Sequence, residues 1–314
     1  MKYPGGVLGI LATFIIITVF GIYLWFRIDI RPYYQALRNQ DVQSFTSTYG
    51  EIAYVDYGEG APLLVVHGLT GGWDQALSSG TDITGSAGRI IAPSRFGYPG
   101  SNLPENSTPQ DQAAAYAQLL NYLNIESVDV LAVSAGGAPA LAFALLYPER
   151  VRSLVLVSPA MPVPDAQEYM AGPPKAIYND FLFWLMVRVF PGALRSLFGV
   201  SGQEYTDAGE SERAALDRTI EGVLPIAPRR EGVFNDLDIT NYDLVARPEA
   251  YPLEEIQAPV LVVNAENDPM AEISIVREAS DRFPHAQLAV YPTGGHILFG
   301  QDITSRVQEF LGQN

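Results

Sequence analysis

The feature that most constrains the fold is a series of short apolar runs that alternate with helix-like stretches. Four such runs lie at residues 63–66, 89–92, 128–133 and 153–157 and two more at 260–264 and 287–291. Short runs of β-branched and aliphatic residues are typical of strands covered on both faces. Helical periodicity at 108–123, 136–147, 273–282 and 303–311 fills several of the connections. The alternation predicts an α/β protein with a mostly parallel sheet.

Two intervals depart from this alternation. Residues 44–49 and 51–57 are rich in β-formers and closely linked, which predicts an antiparallel hairpin at the start of a mixed sheet. Residues 159–258 contain no convincing strand, only helix-prone pieces at 181–190 and 211–221 separated by proline and glycine. So long an interval predicts a helical subdomain inserted between two strands, where it would cover an active site.

The N-terminal segment differs from the rest of the chain. Residues 7–26 include no charged, amide or histidine side chain. At about 1.5 Å per residue, such a helix crosses a hydrocarbon layer of about 30 Å. Tyr23, Trp25 and Arg27 at its end suit the membrane interface. The alternative is a cleaved signal peptide, but the run is too long and no small-x-small cleavage site follows. We therefore expect an uncleaved, single-pass membrane anchor.

Charge and composition exclude some classes of function. The net charge of −16 argues against nucleic acid as a partner. Because the chain has no cysteine, thiol catalysis, thiolate metal sites and disulfides are excluded. The predicted span has Lys2 and the amino terminus on one side and Arg27, Arg31 and Arg38 on the other. Because basic residues are more frequent on the cytoplasmic side of a membrane helix, the three arginines favour a cytoplasmic catalytic body.

A candidate nucleophile is Ser134. It follows a predicted strand and precedes a predicted helix, and small residues flank it on both sides. Small residues are needed because we expect Ala132 and Gly136 to approach each other across a sharp turn. A strand-to-helix turn used only for packing is the alternative. A phosphate loop is disfavoured, because the segment has neither the dinucleotide glycine spacing nor a Gly-Lys-Ser/Thr ending.

A nucleophilic serine requires a general base and a carboxylate that orients it. Of the three histidines, His296 follows the last strand and so lies at the edge where the strands end. His285 precedes that strand, and His67 is expected to shape the loop after its own strand. Asp268 follows the strand at 260–264 and is the favoured carboxylate, with Glu266 as its rival. The backbone N–H groups of Leu69 and Ala135 are candidates for an oxyanion hole.

These segments together resemble the α/β-hydrolase superfamily. The resemblance rests on His67-Gly68, the loop at 93–101, the serine turn, Asn267-Asp268-Pro269 and Gly294-Gly295-His296, and it spans about residues 44–311. It implies an eight-stranded, mostly parallel sheet with a helical cap between strands six and seven. Ala132 replaces the usual first glycine of the turn. Ser134 stands where similar epoxide hydrolases and haloalkane dehalogenases have an aspartate, which argues against those activities.

We therefore expect five segments: an anchor at 1–28, a juxtamembrane linker at 29–43, a hydrolase core at 44–160 and 256–314, and a cap at 161–255. The apolar stretch at 181–190 either lines an acyl pocket, with Phe183 and Trp184 binding substrate, or touches lipid, or packs the cap interior.

The expected activity is cleavage of a small, apolar ester by an esterase- or lipase-like serine hydrolase that needs no cofactor and no metal. Carbon–carbon bond hydrolysis or acyl transfer by the same three side chains, and a membrane-tethered ligand-binding protein without catalysis, remain the alternatives.

Overall fold

The protein, seen here in a computed structural model, is described over residues 4–38, 41–84, 88–162 and 175–313, with side chains from residue 9 onward. Parts of every predicted segment lie outside the described residues: 1–3, including Lys2, of the anchor, 39–40 of the linker, 85–87 and 314 of the core, and 163–174 of the cap.

A single eight-stranded sheet forms the centre of the described fold. Its strands are β1 (Gln43–Ser47), β2 (Gly50–Tyr57), β3 (Pro62–Val66), β4 (Arg89–Pro93), β5 (Val128–Val133), β6 (Val151–Val157), β7 (Val260–Ala265) and β8 (Ala286–Tyr291). Their order is β1-β2-β4-β3-β5-β6-β7-β8. β2 is antiparallel to β1 and β4, and the remaining neighbours are parallel. The predicted hairpin and parallel strands are confirmed.

The helices alternate with the strands in the core and follow one another between β6 and β7. In chain order they are α1 (Pro4–Asp29), α2 (Arg31–Arg38), α3 (Trp73–Thr84), α4 (Pro109–Tyr122), α5 (Gly137–Leu146), α6 (Asp180–Val189), α7 (Pro191–Leu197), α8 (Gly202–Asp207), α9 (Glu210–Glu221), α10 (Arg230–Asn235), α11 (Asn241–Ala246), α12 (Ile273–Asp281) and α13 (Ile303–Gln313). In the described part of the β6–β7 interval, residues 175–259, there are helices and no strand. We call residues 175–255 the cap.

Helices cover both faces of the sheet, so that its central strands are buried on both sides. Alternate residues of β3 face opposite layers: Leu64 and Val66 pack with α4 and α5, whereas Leu63 and Val65 pack with α3 and α13. This double burial explains why these strands are continuous apolar runs rather than alternating ones.

α3 was not predicted from the sequence, because serine, threonine and Gly80 give it a weak helical pattern. The structure gives Gly80 a packing role. A Cβ there would lie 3.0 Å from Ile90 Cγ2 and 3.1 Å from Val65 Cγ2, so the missing side chain lets α3 lie close to the sheet. Tertiary packing therefore outweighs the low helical propensity of this segment.

The N-terminal helix is long and apolar enough to cross a membrane, with a mean hydropathy of 2.2 and 6% of its most apolar window buried. α1 extends past the apolar run to Asp29, and α2 follows after one residue. Ile30 N–H donates to Phe26 O at 3.0 Å, so the predicted linker is largely helical. Phe26 and Ile30 are buried against the cap.

Candidate active site

Ser134 occupies the sharp turn between β5 and α5. Its φ of +52° lies in the left-handed region, which residues other than glycine rarely adopt. A Cβ at Gly136 would lie 2.5 Å from Val66 O, and one at Gly137 would lie 2.5 Å from Ala160 O. A side chain at position 136 is thus excluded by the backbone of β3, and not by Ala132 as the sequence had suggested. The two glycines let the turn lie against the sheet with the serine at its tip.

The structure brings Ser134, His296 and Asp268 together. His296 Nε2 lies 2.8 Å from Ser134 Oγ, and His296 Nδ1 lies 3.0 Å from both carboxylate oxygens of Asp268. The carboxylate is fully buried and the imidazole is 9% exposed. Since a carboxylate only accepts, Nδ1 donates to Asp268 and Nε2 is left to accept the Ser134 hydroxyl proton.

The position of Asp268 is held by its own turn. Its Oδ1 accepts hydrogen bonds from Met270 N at 2.8 Å and Ala271 N at 2.9 Å. The rival carboxylate, Glu266, instead lies 2.5 Å from Arg277, and both side chains are about half exposed. Of the two predicted carboxylates, the described structure places only Asp268 beside the imidazole.

Two glycines and a cap segment hold the histidine loop. Gly294 and Gly295 adopt φ of +112° and +59°. A Cβ on Gly295 would lie 2.0 Å from Phe198 O, so no other residue fits. His296 N–H donates to the same Phe198 O at 2.8 Å, and the Phe198 and His296 rings are nearly parallel with centroids 6.5 Å apart. The cap therefore supports His296 directly, a contact that sequence reasoning missed.

The predicted oxyanion-hole loop follows β3 and lies against Ser134. A Cβ on Gly68 would lie 3.2 Å from Ser134 Cβ, which puts the adjoining Leu69 near the serine. Ala135, the other candidate, is the second residue of the helical turn that begins at Ser134. The first N–H groups of a helix have no intrahelical partner and attract negative charge. Both residues lie in segments that adjoin Ser134, and their role as an oxyanion hole stays a prediction.

His67 has a structural place in the same loop. Its Nε2 accepts a hydrogen bond from Arg95 N–H at 3.0 Å, and its Nδ1 donates to Gly68 O at 2.9 Å. Burial and the nearby positive charge of Arg95 hold the pKa of His67 well below its usual value of 6.5. A neutral ring that already uses both nitrogens braces the loop and is not free to exchange protons.

Two buried arginines connect this loop to the cap, and sequence reasoning assigned a role to neither. Arg95, at the end of β4, forms two 2.5 Å hydrogen bonds with Asp236 of the cap and donates to Gly68 O at 3.0 Å. Arg229 of the cap donates to Gly71 O at 2.5 Å and also pairs with Asp74. No local pattern marks these contacts, because each joins residues far apart in the chain.

Phe183 and Trp184, predicted to bind substrate, are buried where the cap meets the N-terminal helix. Trp184 has no exposed surface, and its indole N–H donates to Asp29 Oδ2 at 2.8 Å. Its ring lies edge-on to Trp25 at 4.7 Å, and Phe183 stacks on Tyr178. The described contacts bring neither residue to Ser134, and their binding of substrate stays a prediction.

Fold and site together define a class of protein: a mostly parallel eight-stranded sheet with a helical cap, and a serine, a histidine and an aspartate gathered where its strands end. The model of the alpha/beta hydrolase family matches residues 63–307, and the chain belongs to that family. It is a hydrolase of the α/β fold.

Several relatives carry hydrolase names. The chain is 28% identical over 271 residues to the uncharacterized hydrolase YcgS of Bacillus subtilis, covering 82% of this chain and 92% of that one. It is 36% identical over 275 residues to a 2-hydroxymuconate semialdehyde hydrolase of Pseudomonas sp. (strain CF600), covering 82% and 89%. A solved α/β hydrolase fold protein from Nakamurella multipartita superimposes with a TM-score of 0.68 at 27% identity, covering 87% and 98%.

Proposed function

We propose that the protein is a serine hydrolase that cleaves a carboxylic ester through an acyl-enzyme. In this proposal Ser134 is the nucleophile, His296 the general base and Asp268 the carboxylate that orients it. The observation that carries the proposal is the continuous hydrogen-bonded series from Ser134 Oγ through His296 to Asp268, at 2.8 and 3.0 Å. The hydrolase family of the chain supports it.

The proposal assigns a chemical group of the protein to each step of the reaction. Ser134 Oγ attacks the ester carbonyl while His296 Nε2 takes its proton, and Asp268 stabilises the imidazolium that forms. The N–H groups of Leu69 and Ala135 receive the oxyanion of the tetrahedral intermediate. His296 then returns the proton to the leaving alcohol, and a water molecule that His296 deprotonates releases the acid from the acylated Ser134.

An apolar acyl group suits the surroundings of these residues. Leu69 lies next to the loop residue that approaches Ser134, and Phe198 and Ile297 adjoin His296. All three are only partly buried and pack against a large apolar cluster that continues into the cap. Partly exposed apolar side chains beside a polar site are what an apolar ligand covers. We therefore expect longer acyl chains to be preferred over acetate within a series of p-nitrophenyl esters.

A matched pair of serine variants tests the nucleophile. Ser134→Ala should abolish labelling by a fluorophosphonate probe and lower ester hydrolysis by at least about 1,000-fold. Ser158→Ala should leave both intact, because the Ser158 hydroxyl is buried and without a hydrogen-bond partner in the described structure. Absence of labelling in the unaltered protein, together with ligand binding that survives Ser134→Ala, would favour a non-catalytic ligand-binding protein.

Carbon–carbon bond hydrolysis is the second candidate, favoured by the 36% identity to a 2-hydroxymuconate semialdehyde hydrolase. The same three side chains would serve, so the products decide. Hydrolysis of 2-hydroxymuconate semialdehyde by this protein, with p-nitrophenyl esters left unchanged, would replace the ester proposal. Formation of a new ester from an added alcohol would indicate acyl transfer.

The membrane anchor and domain division complete the proposal. We assign residues 1–28 to a single-pass anchor, 29–43 to a juxtamembrane segment, 44–160 and 256–314 to the core, and 161–255 to the cap, with the core on the cytoplasmic side. Such an anchor would let apolar substrates reach the site from the bilayer. Removing residues 1–19, which leaves Trp25 and Phe26 packed against the cap, should lower activity on vesicle-held esters but not on dispersed short-chain esters. Equal activity on both would contradict delivery from the membrane.

A further inference from the structure

Where the N-terminal helix leaves its apolar stretch, a cleft of about 370 Å³ opens between that helix and the cap. Its walls are Phe26, Arg27, Ile30, Arg31, Tyr34, Gln35, Arg38 and Asp180. None of the catalytic residues named above lines this cleft, and the proposed reaction uses none of its side chains.

The three arginines share one face of the helix. Arg31 follows Arg27 by four residues and Arg38 follows Arg31 by seven, and both intervals return to the same side of an α-helix. All three are exposed. Within the described residues, no carboxylate forms an ion pair with any of them. The charged side chains that line the cleft are these three arginines and Asp180, so the cleft presents a net positive charge to an occupant.

The acidic groups nearest to the cleft are already engaged with protein. Asp180 accepts from Tyr34 OH at 2.5 Å and from Ala227 N at 2.9 Å. Asp29 accepts from Trp184 and from Arg188 Nε, both at 2.8 Å, on the cap side of the helix. Asp29 is thus paired with Arg188, whereas Asp180 keeps its charge in the wall of the cleft, so three arginines face one carboxylate and a net positive charge remains. In a chain of net charge −16, this local positive charge is the reverse of the general trend.

We propose that this cleft binds the phosphate of an anionic phospholipid in the bilayer that α1 crosses. The inference rests on the proposed membrane span and not on the proposed ester hydrolysis. Arg27 and Arg31 are one turn apart, about 6 Å along the helix. That distance matches the headgroup layer, since the layers on both sides add about 10–15 Å to the hydrocarbon thickness. Guanidinium groups bind phosphate oxygens through paired N–H donors.

Arg38 lies further from the bilayer and has a weaker role. It stands eleven residues, or about 16 Å of helix, beyond Arg27. Its charge therefore acts on the lipid surface only across about one or two Debye lengths at physiological salt. We expect Arg27 and Arg31 to supply most of the preference for anionic lipid, and Arg38 a smaller, salt-sensitive part.

The test uses the full chain in phosphatidylcholine vesicles that contain a minor fraction of brominated lipid, which quenches tryptophan on contact. Of the three tryptophans, Trp25 is 47% exposed, whereas Trp73 and Trp184 are 2% and 0% exposed, so quenching reports lipid beside the cleft. Brominated phosphatidylglycerol should associate at least about fivefold more strongly than brominated phosphatidylcholine. A factor of about five corresponds to ~1 kcal/mol, the contribution of a single arginine near the surface.

Two double variants give the comparison. Arg27→Gln with Arg31→Gln should lower the preference to less than about twofold, the small part that Arg38 supplies. Arg218→Gln with Arg230→Gln removes the same charge from two exposed cap arginines without ion pairs among the described residues, and should leave the preference unchanged. A preference that survives the first double variant undiminished, or is absent in the unaltered protein, overturns the headgroup site.

The remaining outcomes separate this inference from the proposals it depends on. Quenching by neither lipid would mean that α1 is not in the bilayer, and both the span and the headgroup site would fail. Relief of phosphatidylglycerol quenching by millimolar glycerol phosphate would replace the lipid with a soluble phosphate ligand. Hydrolysis of a dispersed ester, measured in the same samples, should be the same for all variants, and its absence would count against the hydrolase proposal alone.

Discussion

Asp236 of the cap and Arg95 at the end of β4 form a buried, two-bond ion pair, with both oxygens of Asp236 at 2.5 Å from the guanidinium. The side chains are 1% and 3% exposed. Tyr98 OH also donates to Asp236 at 2.5 Å. Because Arg95 in turn donates to Gly68 O, the pair connects the cap to the loop beside Ser134.

We expect Asp236→Asn to destabilise the protein by about 3–5 kcal/mol, since it leaves a buried guanidinium without its counter-charge. The free energy of unfolding from denaturant titration measures this. Arg277→Gln is the matched control. It removes an ion pair that is also 2.5 Å long but half exposed, and should change the free energy by less than about 1 kcal/mol.

Replacing both buried partners, Arg95→Met with Asp236→Leu, should cost less than Asp236→Asn alone. Equal losses for Asp236→Asn and Arg277→Gln would contradict this account.

His67 should make stability depend on pH. Burial and Arg95 lower its pKa well below 6.5 in the folded protein, whereas the unfolded chain takes up a proton near 6.5. The unfolded state therefore binds more protons below pH 6.5, and stability falls as the pH falls, by up to about 1.4 kcal/mol per unit from this group. Above pH 6.5 its contribution is constant.

The measurement is the free energy of unfolding from pH 7.5 down to 5, for the unaltered protein and for His67→Gln. The carboxylates and other histidines titrate in both, so the difference between the two curves isolates His67. We expect the variant to be less stable at pH 7.5 and its curve to be flatter below 6.5. Parallel curves would show that residue 67 does not titrate differently on folding.

Asp268 and Glu266 provide a test of the carboxylate. Asp268→Asn should lower the hydrolysis rate by about 10,000-fold, because an amide can no longer select the tautomer and stabilise the imidazolium. Glu266→Gln breaks only the half-exposed contact with Arg277 and should leave the rate within about twofold, as expected of surface pairs. A larger loss from Glu266→Gln than from Asp268→Asn would exchange their assignments.

Strands and strand ends could be predicted from sequence because their signals are local. Each buried strand is a short apolar run, and a residue just after such a run lies at the same edge of the sheet as the others. That argument selected Ser134, His296 and Asp268, which the structure brings within hydrogen-bonding distance.

The contacts that hold these residues were not predictable in the same way. Phe198 supports His296 and Asp236 pairs with Arg95, yet both partners come from the cap and carry no pattern that points to the core. The sequence favoured Asp268 over its rival Glu266 in the same loop, and the structure places Asp268 beside His296 and Glu266 beside Arg277. Contacts between residues about a hundred or more positions apart depend on the assembled fold, not on local propensity.

The N-terminal helix should stabilise the cap as well as anchor the chain, and two phenylalanines on that helix separate these roles. Phe26 is 8% exposed and lies against Phe181 and Trp184, with ring centroids 5.4 and 5.6 Å away. Phe20, less than two turns earlier, is 60% exposed. Phe26→Ala removes buried apolar surface and should cost about 2–4 kcal/mol, whereas Phe20→Ala should cost the folded body nothing.

Thermal unfolding of the full chain in detergent micelles, followed with limited proteolysis of the cap, measures the difference. Phe26→Ala should unfold at a lower temperature and expose the cap to protease sooner, because Trp184 loses a neighbour on its buried face. Phe20→Ala should match the unaltered protein in both measurements, since detergent covers that side chain before and after the change. If both variants behaved alike, the helix would be a tether only, and the packing of Phe26 against the cap would contribute no stability.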